Sequence, residues 1–151
     1  MKKVILASVL AVSALAASAY EVGVTGGRDA RDGNPGATTY GLTVGQKWNQ
    51  LGATVGYERV DIQHNDQNRW SLVGSYDFTK VGPVTLSAKL GGAYLDNKFG
   101  PDGYATLVGV GASMPVNKNV TLTADVRRQM GQTRVEAHDG NTVLVGVKYS
   151  F

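Results

Sequence analysis

From residue 20 to residue 151 the chain repeats one pattern: apolar residues at every second position, in runs broken by Gly, Asn, Asp and Pro. Period two is the period of a strand, and no useful window carries a helical period. The pattern predicts eight strands, at about Tyr20–Arg28, Thr38–Trp48, Leu51–Ile62, Arg69–Thr79, Val84–Leu95, Tyr104–Met114, Asn119–Met130 and Thr142–Phe151. Connections after the second, fourth and sixth are short. Those after the first, third, fifth and seventh are longer and polar: Asp29–Ala37, Gln63–Asn68, Asp96–Gly103 and Gly131–Asn141.

The side on which the large residues fall decides the fold class. In the last strand Val143, Val145, Val147, Tyr149 and Phe151 share one face. The equivalent face of the other strands carries every aromatic residue after position 19 except Phe99. Strand direction sorts them by height. Tyr20, Trp48, Tyr76, Phe78, Tyr149 and Phe151 fall near the short turns; Tyr40, Tyr57, Trp70, Tyr94 and Tyr104 fall near the long loops. Aliphatic residues fill the band between. Two aromatic girdles around an apolar belt is the outer surface of a membrane barrel. The opposite face is Gly, Ser and Thr, too small and polar for the core of a soluble sandwich. The expected fold is all-β: an eight-stranded antiparallel up-and-down transmembrane β-barrel, which leaves no unpaired backbone edge in hydrocarbon.

The inward face also carries charge. Glu21, Lys47, Asp77 and Lys148 fall at one height, and Glu58, Lys89, Asp125 and Arg127 at another. Each set has two charges of each sign. Charges in a narrow lumen must pair, because an uncompensated one costs several kcal/mol. Two readings stand: a fixed ion-pair plug, or a narrow pore gated by the Glu58, Lys89, Asp125 and Arg127 set.

The two ends fit an exported barrel. Lys2 and Lys3 precede an uncharged apolar run, Val4 to Ala16, and Ala17-Ser18-Ala19 is a small-x-small cleavage pattern. Residues 1–19 therefore read as a signal peptide, and 20–151 as one barrel domain. The apolar run is shorter than the roughly 20 residues of a spanning helix. Loss of Lys2 and Lys3 brings the 15 basic residues to within one of the 12 acidic. That balance makes no case for nucleic acid. There is no cysteine, so neither a disulfide nor a lipoprotein attachment site is available. The alternating apolar strand ending in Phe151 resembles the signal read by bacterial barrel-assembly machinery.

Few residues suggest chemistry. Arg59 and Arg128 interrupt the apolar face near the outer rim, where guanidinium groups meet lipopolysaccharide phosphates through bidentate bonds. Arg28, Arg31, Arg69, Lys98 and Arg134 lie in or beside the outer loops and add to such contacts. Phe99, with Lys98 and Arg134, is a small candidate patch for a host or surface protein. The two histidines, His64 and His138, lack the His-x-Ser arrangement of a lipid A deacylase barrel, and the scattered loop aspartates form no calcium loop. No cofactor, metal or enzymatic activity is expected.

With these features together, the chain resembles the small eight-stranded outer-membrane proteins: the OmpX/Ail type, the OmpA transmembrane domain and NspA. The resemblance rests on topology, parity and the terminal Val143-x-Val145-x-Val147-x-Tyr149-x-Phe151 pattern. It implies a monomeric, non-enzymatic barrel in the outer membrane of a Gram-negative bacterium. The role implied is structural or surface interaction: lipopolysaccharide contact, with adhesion or host-factor binding through the loops. A gated narrow pore is the alternative, and a lipid-modifying enzyme the third reading. The loops are shorter than the long protruding strands of OmpX-like members, and no peptidoglycan-binding domain follows Phe151 to tether the barrel to the cell wall.

Overall fold

The computed structural model describes residues 19–31, 34–62, 65–97, 102–131 and 139–151. They form eight strands: β1 (Ala19–Arg31), β2 (Asn34–Trp48), β3 (Leu51–Ile62), β4 (Asn65–Val81), β5 (Val84–Asn97), β6 (Gly103–Pro115), β7 (Val120–Gly131) and β8 (Gly140–Ser150). Each pairs antiparallel with the next, and β1 pairs with β8, closing a barrel. The closing seam runs from Glu21 opposite Ser150 to Arg31 opposite Gly140.

Turn chemistry holds one end of the barrel, here called the turn end. Asn49, with φ of 52°, lets β2 reverse into β3, and Gly82, with φ of 60°, does so between β4 and β5. Between β6 and β7 the Asn117 side chain accepts hydrogen bonds from the Asn119 and Val120 amides. The other end, the loop end, differs from expectation. Strand pairing continues through much of the sequence assigned to loops, including Asp29–Arg31 with Asn34–Ala37, and Asn65–Asn68 with Arg59–Ile62. Only residues 32–33 and 63–64 separate those strands. The longer connections are confined to 98–102 and 132–139. Outside the apolar belt the outer side of a strand meets water, so polar residues there pair as well as apolar ones.

Strand lengths run from 11 residues in β8 to 17 in β4. A tilted strand needs roughly 9–11 residues to cross a bilayer. The excess therefore stands beyond the apolar belt.

Outward positions face away from the lumen: Val22, Val24, Leu42, Val44, Leu72, Leu90, Val110, Val126 and Val145 are all exposed. Inward positions are buried or half-buried. The expected interior of small and polar residues describes only the turn-end half. Toward the loop end Val60, Val73, Ala93, Leu95, Ala105, Leu107 and Leu144 are buried inside the barrel. They fill space that Gly and Ser would leave open, so this half of the lumen is packed.

Candidate functional site

The lumen charges depend on glycine. Seven of the eight inward charges expected from parity stand opposite a glycine in the register: Glu21 with Gly45, Lys47 with Gly52, Glu58 with Gly41, Lys89 and Arg127 with Gly109, Asp125 with Gly111, Lys148 with Gly23. A Cβ on Gly41 would lie 2.6 Å from Glu58 Cγ, and one on Gly109 would lie 2.9 Å from Arg127 Cγ. Long charged side chains lie flat over their neighbour because it has no side chain.

Four ion pairs join these eight residues. At the turn end Lys47 Nζ is 2.5 Å from Asp77 and Lys148 Nζ is 3.0 Å from Glu21. In the middle Lys89 pairs with Asp125. Toward the loop end Arg127 Nη2 donates to Glu58 Oε1 at 2.5 Å. Exposure falls along the same path, from 37% for the Lys47 side chain to 1% for Glu58. A cavity of about 210 Å³ follows it, lined at one end by Lys47, Asp77 and Lys148 and at the other by Glu58 and Arg127.

The centre of the deepest cluster is Arg69, which departs from expectation. It was placed beside the outer loops, among residues available to phosphate. Instead it points inward from β4 and is 1% exposed. Glu58 is its register partner on β3. Arg69 Nε donates to Glu58 Oε2 at 2.8 Å, and Nη2 donates to the same oxygen. Its Nη1 reaches Gln129 Oε1 at 2.9 Å and Asp29 Oδ2 at 3.2 Å. Asp29, also assigned to a loop, is a buried β1 residue that accepts a further bond from Thr142 Oγ1 at 3.1 Å. Arg69 and Asp29 add one charge of each sign, so the cluster stays balanced. The missed signal was parity: Arg69 continues the inward series Ser71, Val73, Ser75 past Trp70.

This arrangement neutralises and fills. No group of potential metal ligands occurs among the described residues.

The outer face carries the girdle residues. At the turn end Tyr20, Trp48, Tyr76, Phe78, Tyr149 and Phe151 are exposed, with the Tyr149 and Phe151 rings 5.0 Å apart edge to face. At the loop end Tyr57 and Trp70 lie 4.6 Å apart, and Tyr94 and Tyr104 5.4 Å apart, with Tyr40 on β2. Tyr57 Oη donates to Asn68 Oδ1 at 2.9 Å, and Tyr94 Oη to Asp102 Oδ2 at 3.2 Å. Arg59 is exposed and bridges to Asp66 at 2.5 Å. Arg128 is exposed, opposite Val108 on one side and Asn141 on the other. Residues 1–18, His64, Lys98, Phe99, Arg134 and His138 lie outside the described residues.

No protein-family model matches the chain, and no curated protein sequence does. Solved structures do. The N-terminal β-barrel domain of Pseudomonas aeruginosa OprF aligns with a TM-score of 0.65 at 18% identity, covering 88% of this chain and 97% of that one. The fold is that of a small eight-stranded outer-membrane barrel. Neisserial surface protein A aligns at 0.61 with 22% identity, and the attachment invasion locus protein Ail of Yersinia pestis at 0.59 with 15%; both alignments cover 89% of this chain and 97% of the other. At such identities the likeness is one of fold, and function rests on the residues.

Proposed function

We propose that this chain is a non-enzymatic barrel of the bacterial outer membrane, exported by residues 1–19, with the turn end in the periplasm and the loop end outside. Its role is structural and surface-facing: the rim arginines Arg59 and Arg128 contact lipopolysaccharide, and the outer connections are free to meet an external partner. The alternating strand that ends in Phe151 serves as its address for barrel assembly. The carrying observation is the pairing of a bare apolar belt outside with a lumen blocked by the buried Arg69, Glu58 and Arg127 cluster. Such a molecule has a surface to offer and no through-channel.

Gel mobility tests the fold: an unboiled closed barrel migrates apart from the boiled chain, and fractionation places it with outer membranes. One observation favours a second reading, a gated narrow pore. Glu58 is shared by two guanidinium groups above a cavity that runs from the turn end, so a change of partner there would alter the block. Single-channel recording in planar bilayers separates the two. Silence supports the plugged barrel, and discrete small openings support the gate.

A further inference from the structure

At the loop end the barrel's outer wall is chemically lopsided. The β4–β6 side carries Trp70, Tyr94 and Tyr104, with the carboxylates of Asp96 and Asp102 beside them. The β7–β8–β1 side carries Arg128, Asn141 and Arg28, all outward by parity and all exposed. Arg128 and Asn141 are direct register partners across β7 and β8. Residues so placed have Cβ atoms about 5 Å apart, and diagonal neighbours are about 7–8 Å apart. Asn141 faces Ala30 on β1, so Arg28, two residues along, is its diagonal neighbour. Two guanidinium groups and one carboxamide thus converge across three strands, with the arginines' strands about 9.5 Å apart.

Their surroundings matter as much as their spacing. Arg28 lies opposite Val143, and Arg128 opposite Val108. Both valines are exposed members of the apolar belt. The arginines therefore stand at the upper border of the hydrocarbon. Among the described residues neither has a carboxylate partner, unlike Arg59, which is bound to Asp66. The Asp139 carboxylate accepts a hydrogen bond from the Gly131 amide at 2.6 Å. A guanidinium at a membrane border, without a carboxylate among the described residues, is matched by a lipid phosphate, which it binds through two parallel N–H donors.

We infer that Arg28, Arg128 and Asn141 form a single phosphate-binding site for lipid A on the β7–β8–β1 face. This rests on the outer-membrane placement proposed above and moves the principal contact from Arg59 to Arg28.

The test is native mass spectrometry of the detergent-solubilised, folded barrel titrated with bisphosphorylated lipid A, with dephosphorylated lipid A, and with phosphatidylglycerol. The wild-type barrel should hold the bisphosphorylated form about tenfold or more tightly than either of the others. Arg28→Ala/Arg128→Ala should lose that preference, and Arg59→Ala should keep it. Arg28→Lys/Arg128→Lys, which keeps charge but loses the planar fork, should fall between. Gel mobility verifies that each variant is folded; the single variants Arg28→Ala and Arg128→Ala serve if the double does not fold. Loss of the preference in Arg59→Ala with retention in the double variant would overturn the site while leaving lipopolysaccharide contact standing. Equal binding of dephosphorylated lipid A to the wild-type barrel would overturn the site and the phosphate contact together, whereas equal binding of phosphatidylglycerol would overturn lipid A as the lipid the site selects.

Discussion

Arg69 shows how much one buried charge organises. Its guanidinium reaches groups on β1, β3 and β7, tying strands that are not neighbours. Replacing it with alanine leaves Glu58 with Arg127 and takes the Arg69 bond from Asp29, both in a buried site. Breaking a buried pair this way costs about 3–5 kcal/mol. Lys47 makes the contrast: its pair with Asp77 is short, but its side chain is 37% exposed, so water and salt replace most of the interaction. Lys47→Ala should cost about 1 kcal/mol or less. Urea unfolding of the barrel in lipid vesicles measures both, and equal midpoints for Arg69→Ala and Lys47→Ala would show that the cluster is not dry. Parity alone made the eight lumen charges legible, because each sits inside an obvious run of alternation. Arg69 and Asp29 obey the same parity, yet Asn, Asp and Gly surround them. Composition read Asp29 as loop and left Arg69 at a strand's outer rim, and composition was the weaker guide.

The strands extend that lesson to the next scale. All eight were visible as alternating runs, and the short connections after the second, fourth and sixth were visible as breaks, although β4 runs on to Val81, past the expected end at Thr79. The extra length of β1, β2 and β4 was not, since hydrophobic alternation marks a strand only while one side meets lipid. Beyond the belt the backbone goes on pairing without leaving that mark. What the alternation also hides is how closely two strands approach. At the β1–β8 seam a Cβ on Gly27 would lie 1.9 Å from the Val143 carbonyl oxygen, and backbone has nowhere to retreat. Gly27→Ala should therefore destabilise the closed barrel by about 1–3 kcal/mol, the usual range for overpacking. Gly74, on the outward face of β4, would place a Cβ in ordinary contact, 3.6 Å from the Leu90 carbonyl oxygen. There Gly74→Ala removes only a glycine from a strand interior and should stabilise by up to about 1 kcal/mol. Heat-dependent gel mobility and urea midpoints read the opposite signs directly.

For the whole molecule, the consequence of a half-packed lumen is that water enters from one side. The turn-end half is lined by Ser, Thr and charged groups around a cavity, whereas the loop-end half holds Val60, Leu95, Leu107 and Leu144 against the arginine cluster. The sequence made the first half plain and the second obscure, because these four residues fall one to a strand and meet only when the barrel closes. The absence of native cysteine allows a direct measurement. Thr121 lines the cavity near the turn end. Thr39 lies opposite Val60 and Gly27 in the packed half, fully buried, and its hydroxyl makes no hydrogen bond there, so a thiol replaces it with little loss. Thr121→Cys should react with a water-soluble maleimide on the folded barrel at a rate near that of an open thiol. Thr39→Cys should react only as fast as the barrel opens, and match Thr121→Cys once unfolded in urea. If Thr39→Cys were labelled as readily as Thr121→Cys in the folded state, water would pass the arginine cluster. The lumen would then be a channel, and the gated pore would replace the plug.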